Sequence, residues 1–182
     1  MIKGNASSGA IFNDSEDRRF LLWRSREKGH GIVTFILLNP STADENKNDP
    51  TVLRCWTRAQ ALGFKTMLLT NLFSFRSTNP KGIQIDRDGD LLENTVTIRR
   101  CAVRSNLVIC AWGNHGKLER RGHQILGGLR GSGIDVHVFG ISKQGEPIHP
   151  LYLPYGLETK RLDWDSIRID GGSIVFENKE AE

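Results

Sequence analysis

The chain has 182 residues, of which 38% are hydrophobic and 25% charged, as in an ordinary globular protein with one core. No apolar run approaches the ~20 residues that cross a bilayer, and the first residues lack the apolar stretch of a secretory signal. We therefore expect a cytoplasmic protein with no membrane partner. The net charge of +4 permits an anionic partner, whereas local arginine clusters such as Arg18 and Arg19 are expected on the solvated surface.

The chain divides by composition into three regions. Residues 1–17 are polar and small, so we expect a flexible N-terminal arm there. Residues 18–157 carry the alternating apolar and amphipathic segments that are typical of an α/β domain. Residues 158–182 are expected to form a C-terminal β appendage and tail, with a Gly-Gly hairpin turn.

The first elements of the α/β domain are two predicted strands and a helix. RRFLLWR (18–24) and GIVTFILL (31–38) are joined by a turn-like stretch, which predicts an antiparallel pair. Asp49 and Pro50 then begin a helix that ends at Gly63. An aspartate cap followed by proline favours a helix start, and glycine favours a helix end.

Strands and helices alternate through the rest of this domain. Apolar strands are predicted over 64–70, 107–112 and 135–140, and helices over about 91–104 and 117–129. Because such alternation requires crossover connections, it predicts a three-layer αβα sandwich with a mostly parallel core sheet.

Four polar segments each follow an apolar strand. They are residues 39–44, 71–73, 112–115 and 146–151. In an open α/β sheet the carboxyl ends of the parallel strands meet at one edge, and ligands bind there. The sequence therefore predicts a ligand crevice at that edge.

The first polar segment offers groups that hold water or phosphate. Asn39 lies where the strand must turn at Pro40, and Ser41, Thr42 and Asp44 add two hydroxyl groups and a carboxylate. An Asn-Pro turn, whose side chain bonds its own backbone, is the alternative interpretation.

The next two segments offer groups that read a flat ligand. Asn71 presents a donor and an acceptor side by side, as a nucleobase edge requires, although such an amide also caps backbone. Phe73 and Trp112 are candidates for stacking, with core packing as the alternative. Gly113 permits close approach of a ligand, and His115 follows it.

His149 in the fourth segment is the most reactive candidate. A histidine beside a pocket donates a hydrogen bond to a developing anion or moves a proton. Its alternative role is a hydrogen bond to a loop carbonyl.

The sequence lacks the motifs that are typical of several kinds of enzyme and of metal sites. The chain has no GxSxG elbow, Walker glycine loop or GxGxxG motif. Its histidines lack the spacing of metal ligands, so we expect no metal and no cofactor. The odd number of widely spaced cysteines predicts buried free thiols at Cys55, Cys101 and Cys110.

The order of these motifs resembles a bacterial and phage domain-of-unknown-function family, number 1643. The family signature is similar to LLNPSTAD, DPT…RC, NLF.FR.T.P, AWG.HG and K.G.P.HPLYLP, all present here in order over roughly residues 18–155. The chain departs from the family at residues 89–94, where a Gly-Pro-x-Asn stretch is usual. This resemblance implies no activity.

A more distant similarity is to the uracil-DNA glycosylase superfamily, which implies an αβα sandwich of that type. The resemblance implies that Asn39 positions an attacking water, Asn71 reads the base and His149 stabilises the leaving base anion. Asn39 stands where that superfamily also uses Asp, and Leu151 stands where it has Ser.

These residues together predict a crevice for a nucleobase of DNA or a nucleotide. The resemblance implies that the reaction is hydrolysis of an N-glycosidic bond, with Asn39 and His149 as the catalytic residues. One alternative is a non-catalytic binder of DNA or a nucleotide, which the neutral Asn39 favours. Another is an enzyme that acts on free modified nucleotides.

Overall fold

The apolar segments form strands and the amphipathic segments form helices in the computed structural model, which describes residues 1–79, 82–170 and 173–176. The helices are α1 (Pro50–Ala61), α2 (Asp88–Val103) and α3 (Arg121–Gly131). Short 3-10 turns cover Asn114–Arg120, Pro150–Tyr152 and Trp164–Ser166. The strands are β1 (Ile2–Gly4), β2 (Ser8–Phe12), β3 (Arg19–Ser25), β4 (His30–Leu37), β5 (Phe64–Asn71), β6 (Leu107–Cys110), β7 (Val136–Val138), β8 (Lys160–Arg161), β9 (Ile167–Asp170) and β10 (Ser173–Phe176).

The main sheet is mixed, so the expectation of a mostly parallel three-layer sandwich is wrong. Its eight strands lie in the order β1-β2-β3-β5-β4-β6-β7-β8. The pairings β5-β4, β4-β6 and β6-β7 are parallel. The pairings β1-β2, β2-β3, β3-β5 and β7-β8 are antiparallel and outnumber them. The protein is therefore an α/β protein whose parallel strands occupy only the centre of the sheet.

The expected antiparallel pair of β3 and β4 does not form. β5 lies between them, antiparallel to β3 and parallel to β4. The connection after β3 therefore spans the width of an inserted strand instead of closing a hairpin. Consequently the first residues of β3 and the last residues of β5 and β4 lie at one edge of the sheet.

Both ends of the chain contribute strands. Within residues 1–17, β1 and β2 form hydrogen-bonded ladders that extend the sheet beyond β3. Within residues 158–182, β8 pairs with β7, whereas β9 and β10 form a separate antiparallel pair. The Gly-Gly turn expected at 171–172 lies outside the described residues.

Helix α1 follows the prediction closely. The Asp49 side chain accepts a hydrogen bond from the Val52 amide at 2.8 Å, and Pro50 is the first helical residue. Gly63 follows the helix with φ +82°, a left-handed conformation that glycine adopts without strain. The helix starts at the carboxyl edge of the parallel strands because it directly follows the β4 connection.

Two hydrophobic clusters cover opposite faces of the sheet. One contains Phe35, Leu37 and Leu69 with the buried side of α1. The other contains Ile36 and Leu72 with buried side chains of α2 and α3. The three predicted cysteine thiols are free and buried, as expected.

Candidate functional site

The carboxyl ends of β5, β4 and β6 form the candidate site, which we call the crevice. Asn71 ends β5, Asn39 follows β4, and Gly113 follows β6. The chain leaves β4 toward β5 on one side, while β6 lies on the other, so the strand order reverses at β4. Because neighbouring strands lie about 4.8 Å apart, the ends of β5 and β6 lie about 10 Å apart on either side of β4.

Alternation along the strands determines which predicted residues share the crevice. Asn71 lies two residues beyond Leu69 on β5, so it falls on the α1 face of the sheet. Phe73 and Trp112 instead belong to the cluster on the opposite face and are each 1% exposed. The structure therefore does not bring the two predicted stacking residues into the crevice.

Asn71 is buried without hydrogen bonds from its side chain. The residue is 1% exposed, and neither its Oδ1 nor its Nδ2 has a partner among the described residues. Its backbone carbonyl accepts a hydrogen bond from the Nδ2 of Asn94 at 3.1 Å. An unsatisfied buried amide is unfavourable for folding by roughly 1–3 kcal/mol. A contribution to the stability of the fold therefore does not explain an asparagine at position 71.

Asn39 is fixed by backbone. Its Nδ2 donates to the carbonyl oxygens of Pro40 at 2.9 Å and Ser77 at 2.7 Å. For the NH₂ group, this arrangement agrees with the alternative interpretation, an Asn-Pro turn whose side chain bonds backbone. It also orients the half-buried Oδ1, which accepts no hydrogen bond within the described ranges and can accept one from a water.

His149 lies against Gly113 at the far side of the crevice. A Cβ built on Gly113 would lie 3.3 Å from the His149 Cβ, and the Gly113 amide donates to the Pro147 carbonyl at 2.8 Å. Burial lowers the pKa of His149 to about 4, against an opposing effect of Asp49. Its Nδ1 accepts from the Leu151 amide at 3.3 Å, so the neutral ring carries its proton on Nε2. His149 is therefore a neutral hydrogen-bond donor.

Trp112 and Glu146 support the loop that carries His149. The Trp112 Nε1 donates to Glu146 Oε2 at 2.7 Å, and His123 Nε2 lies 3.7 Å from Oε1. Burial raises the pKa of Glu146 although the Trp112 hydrogen bond opposes this shift. Gly116 and Trp112 are in close contact, since a Cβ on Gly116 would lie 2.0 Å from the Trp112 ring. Trp112 thus has a structural role on the side of the sheet away from the crevice.

The other predicted binding residues either form hydrogen bonds with nearby backbone or are at least partly exposed. Asp44 Oδ1 accepts from the amides of Asn46 at 2.8 Å and Lys47 at 2.7 Å. Burial acts to raise the pKa of Asp44, but these amides and the charges of Lys47 and Arg76 together outweigh it, so the pKa lies below its ordinary value. Ser41 is half-buried, whereas Thr42 and His115 are exposed. None of these side chains is fixed toward Asn71 by a hydrogen bond.

Arg19 is a crevice residue that the sequence did not reveal. It begins β3, which runs antiparallel to β5 and so starts at the carboxyl edge of the parallel strands. It is 2% exposed, donates from Nη1 to the Ala43 carbonyl at 2.7 Å, and its buried Nε has no partner in the described part of the chain. Burial lowers its pKa to about 10, so the guanidinium remains charged at neutral pH. A register shift between Ile11 and Phe12 accompanies the burial of both Arg19 and Phe20, which period-two alternation does not anticipate.

Other concave surfaces lie away from these unsatisfied groups. A cavity of about 810 Å³ beside Arg18 is lined by charged groups of both signs, and its Arg18 already pairs with Asp86 and Asp90. Another, of about 400 Å³, lies along α2. We place the site at the crevice because the buried polar atoms of Asn71 and Arg19 that lack partners are there.

The described residues contain neither a metal-binding cluster nor a membrane-spanning helix. No group of three or more His, Cys, Asp or Glu side chains is arranged there to hold a metal ion. No helix there has both the length and the apolar character needed to cross a membrane.

Comparison with known proteins gives one match. Neither a curated protein nor a solved structure matches the chain. A family model described as a protein of unknown function (DUF1643) matches residues 19–151 of the 182. The matched segment begins at Arg19 and extends past His149, so it contains every crevice residue described above. Because the match covers well over half of the sequence, the chain belongs to the DUF1643 family of proteins of unknown function.

Proposed function

We propose that the crevice binds a nucleobase, presented by DNA or a nucleotide, and hydrolyses its N-glycosidic bond. The observation that carries the proposal is the Asn71 amide, whose donor and acceptor are buried without a partner among the described residues. A nucleobase edge that places a carbonyl next to an N–H satisfies both atoms at once. A bound base would thus remove the unfavourable free energy that the amide imposes on the ligand-free fold.

The other crevice residues fit the steps of C–N bond cleavage. The reaction produces an oxocarbenium-like sugar and a base anion, which requires a hydrogen-bond donor near the base. Neutral His149 offers Nε2–H for that purpose, and Asn39 Oδ1 can orient a water. A base in duplex DNA must first leave the stack, which costs a few kcal/mol and favours a weakly paired base.

Excision of a base from an oligonucleotide tests this function. The purified protein is incubated with single-stranded and duplex oligonucleotides that contain uracil, hypoxanthine or a mismatch, and abasic sites are measured. We expect abasic sites with at least one of these substrates and an at least ~100-fold lower rate for His149→Ala, the typical loss of one such donor. Release of base at an unchanged rate by His149→Ala would overturn the mechanism.

A second candidate is a binder without catalysis. The observation that favours it is Asn39, because an amide cannot accept a proton from water and its Nδ2 is engaged by backbone. This candidate predicts oligonucleotide or nucleotide binding that requires Asn71 and produces no abasic sites. Fluorescence anisotropy with the same oligonucleotides separates the two candidates. Failure to bind any of them would overturn both.

A further inference from the structure

The segment that follows His149 buries little apolar surface. It begins with the Pro150–Tyr152 turn, in which the Tyr152 side chain is 90% exposed, and residues 154–157 are exposed as well. Leu153 is half-buried and packs against the hydrophobic cluster on the α1 face. Because apolar burial is small, polar contacts contribute most to where this segment lies.

Two arginines of α1 hold the segment by its backbone. Arg58 donates from Nη1 and Nη2 to four carbonyl oxygens at distances between 2.6 and 3.3 Å. These carbonyls belong to Leu153, Pro154, Tyr155 and Leu157. Arg54 lies one turn earlier on the same helix face and also donates to the Leu153 carbonyl. A guanidinium presents its donors in a fixed planar fork, so these bonds define the position of the segment relative to α1.

Arg58 is itself fixed by its surroundings. It is buried, and its guanidinium carbon lies 4.6 Å from the centre of the Phe139 ring, which belongs to the cluster on the α1 face. The Arg54 guanidinium lies 4.3 Å from the centre of the Tyr155 ring, on the segment that both arginines bind. Stacking on aromatic faces favours one orientation of each guanidinium. The two side chains therefore form a rigid clamp, which we call the arginine clamp.

His149 lies between this clamp and an anchor on the sheet. Before His149, the Pro147 carbonyl accepts the Gly113 amide at 2.8 Å, which ties the chain to the end of β6. After His149, the tight Pro150–Tyr152 turn leads directly to the first carbonyl that Arg58 binds. Since only this turn separates the two, a displacement of the clamped carbonyls also displaces His149.

We propose that Arg58 is a positioning residue for His149, whose place in the crevice depends on the clamped segment. This inference rests on the proposed function in treating His149 as the hydrogen-bond donor to the leaving base. A donor displaced by about 1 Å can cost ~100-fold in rate. Arg58 therefore affects the reaction through His149 and not through a contact with the nucleobase.

The ring nitrogens of His149 test this role without a substrate. Arg58→Lys keeps the positive charge and an aliphatic stem but loses the planar fork. In the wild-type protein, ¹⁵N NMR should show one neutral tautomer, because Nδ1 accepts the Leu151 amide at 3.3 Å. In Arg58→Lys we expect the Nδ1 and Nε2 signals to move toward the averaged values of a solvated histidine and to titrate near pH ~6.5.

Arg26→Lys is the matched control for the loss of a guanidinium that holds backbone. Arg26 donates to the carbonyls of Gln60 at 3.1 Å and Phe64 at 2.9 Å, at the opposite end of α1 from the clamp. We expect the His149 signals of this variant to match those of the wild-type protein. A change as large as that in Arg58→Lys would overturn the inference, because the effect would then be general.

A milder variant covers the case in which Arg58→Lys does not fold. Arg54→Lys removes one bond to the Leu153 carbonyl and should move the His149 signals in the same direction by a smaller amount. Unchanged His149 signals in folded Arg58→Lys, or in Arg54→Lys if only that variant folds, would overturn the inference and assign the clamp to the scaffold.

Kinetics separate this inference from the proposed function. With a substrate that the wild-type protein excises, we expect Arg58→Lys to lower kcat by about tenfold or more while KM stays unchanged. The double variant Arg58→Lys/His149→Ala should be no slower than His149→Ala alone, and an additive loss would overturn the inference. Absence of base excision by the wild-type protein would contradict the proposed hydrolysis, whereas the NMR comparison would still decide whether Arg58 positions His149.

Discussion

A structural role and a functional role for Asn71 predict opposite effects on the stability of the fold. A structural asparagine in a core stabilises the fold through its hydrogen bonds, but the Asn71 amide has no partner among the described residues. Its neighbours on the α1 face are apolar, including Leu69 and Leu37. An asparagine that is retained for binding is thus expected to lower the stability of the ligand-free protein.

Replacing Asn71 by leucine tests this distinction. We expect Asn71→Leu to leave stability unchanged or to raise the free energy of unfolding by about 1 kcal/mol, because two unsatisfied buried polar atoms are removed. The same variant should lose nucleobase binding. Urea denaturation and fluorescence anisotropy measure the two effects. A loss of more than about 2 kcal/mol together with intact binding would assign Asn71 to the scaffold.

His149 gives the crevice a defined acid sensitivity. Burial lowers its pKa from 6.5 to about 4, so the folded protein resists protonation of a ring that the unfolded chain protonates readily. Above pH 6.5 the ring is neutral in both states and contributes no pH dependence. As the pH falls below 6.5, the unfolded state binds the extra proton and stability decreases until the folded ring is also protonated near pH 4.

We expect this loss to reach up to ~1.4 kcal/mol of unfolding free energy per pH unit between these limits. His149→Gln should flatten the dependence, because glutamine does not titrate. Urea denaturation of both proteins from pH 7.5 to pH 4.5 provides the measurement. The difference between the two curves isolates His149 from Glu146 and Asp86, whose pKa values are raised by burial. Parallel curves would mean that the ring is already solvated in the folded state.

At the scale of elements, a buried carboxylate connects the loop after β5 to α2. Asp86 accepts hydrogen bonds from the Ser74 amide at 2.8 Å and the Asn94 Nδ2 at 3.0 Å. It also pairs with Arg18 at 2.5 Å. Because Asn94 Nδ2 in turn donates to the Asn71 and Leu72 carbonyls, this network holds the end of β5 in place.

Removal of the Asp86 carboxylate should therefore be strongly destabilising. We expect Asp86→Ala to lower the free energy of unfolding by about 3 kcal/mol, since it leaves buried donors and part of the Arg18 charge without a partner. Asp90→Ala is the control, because Asp90 also pairs with Arg18 at 2.8 Å but its side chain is 37% exposed. Its cost should stay below about 1 kcal/mol. Similar costs for both variants would contradict the assignment of Asp86 as the anchor.

The elements differ in how well the sequence predicts them. The bounds of α1 follow from Asp49, Pro50 and Gly63, because caps and glycine act on adjacent backbone. The insertion of β5 between β3 and β4 does not follow from any local signal, since pairing partners are chosen by contacts distant in sequence. Arg19 was assigned to the surface for the same reason. Its burial depends on that insertion and on the local register shift in β2–β3.

At the scale of the whole molecule, the predicted crevice depends on a smaller part of the fold than expected. Only β5, β4, β6 and β7 are parallel, yet these include the strands whose carboxyl ends carry Asn71, Asn39 and Gly113. Placing these residues at one edge requires only that local arrangement. The sequence did not predict which face each side chain occupies, and for that reason Trp112 and Phe73 were expected in the crevice but lie in the opposite core.

The proposed function depends most directly on the Asn71 amide as a ligand contact. An NMR titration measures that contact. Base-containing oligonucleotides are added to ¹⁵N-labelled protein, and the side-chain NH₂ signals of Asn71 are monitored. We expect these signals and the His149 Nε2–H signal to shift together on binding. Asn106, whose Oδ1 accepts the Ile32 amide at the amino end of β4, is the internal control and should not shift. Oligonucleotide binding that leaves the Asn71 signals unchanged would contradict the proposed role of Asn71 in nucleobase binding.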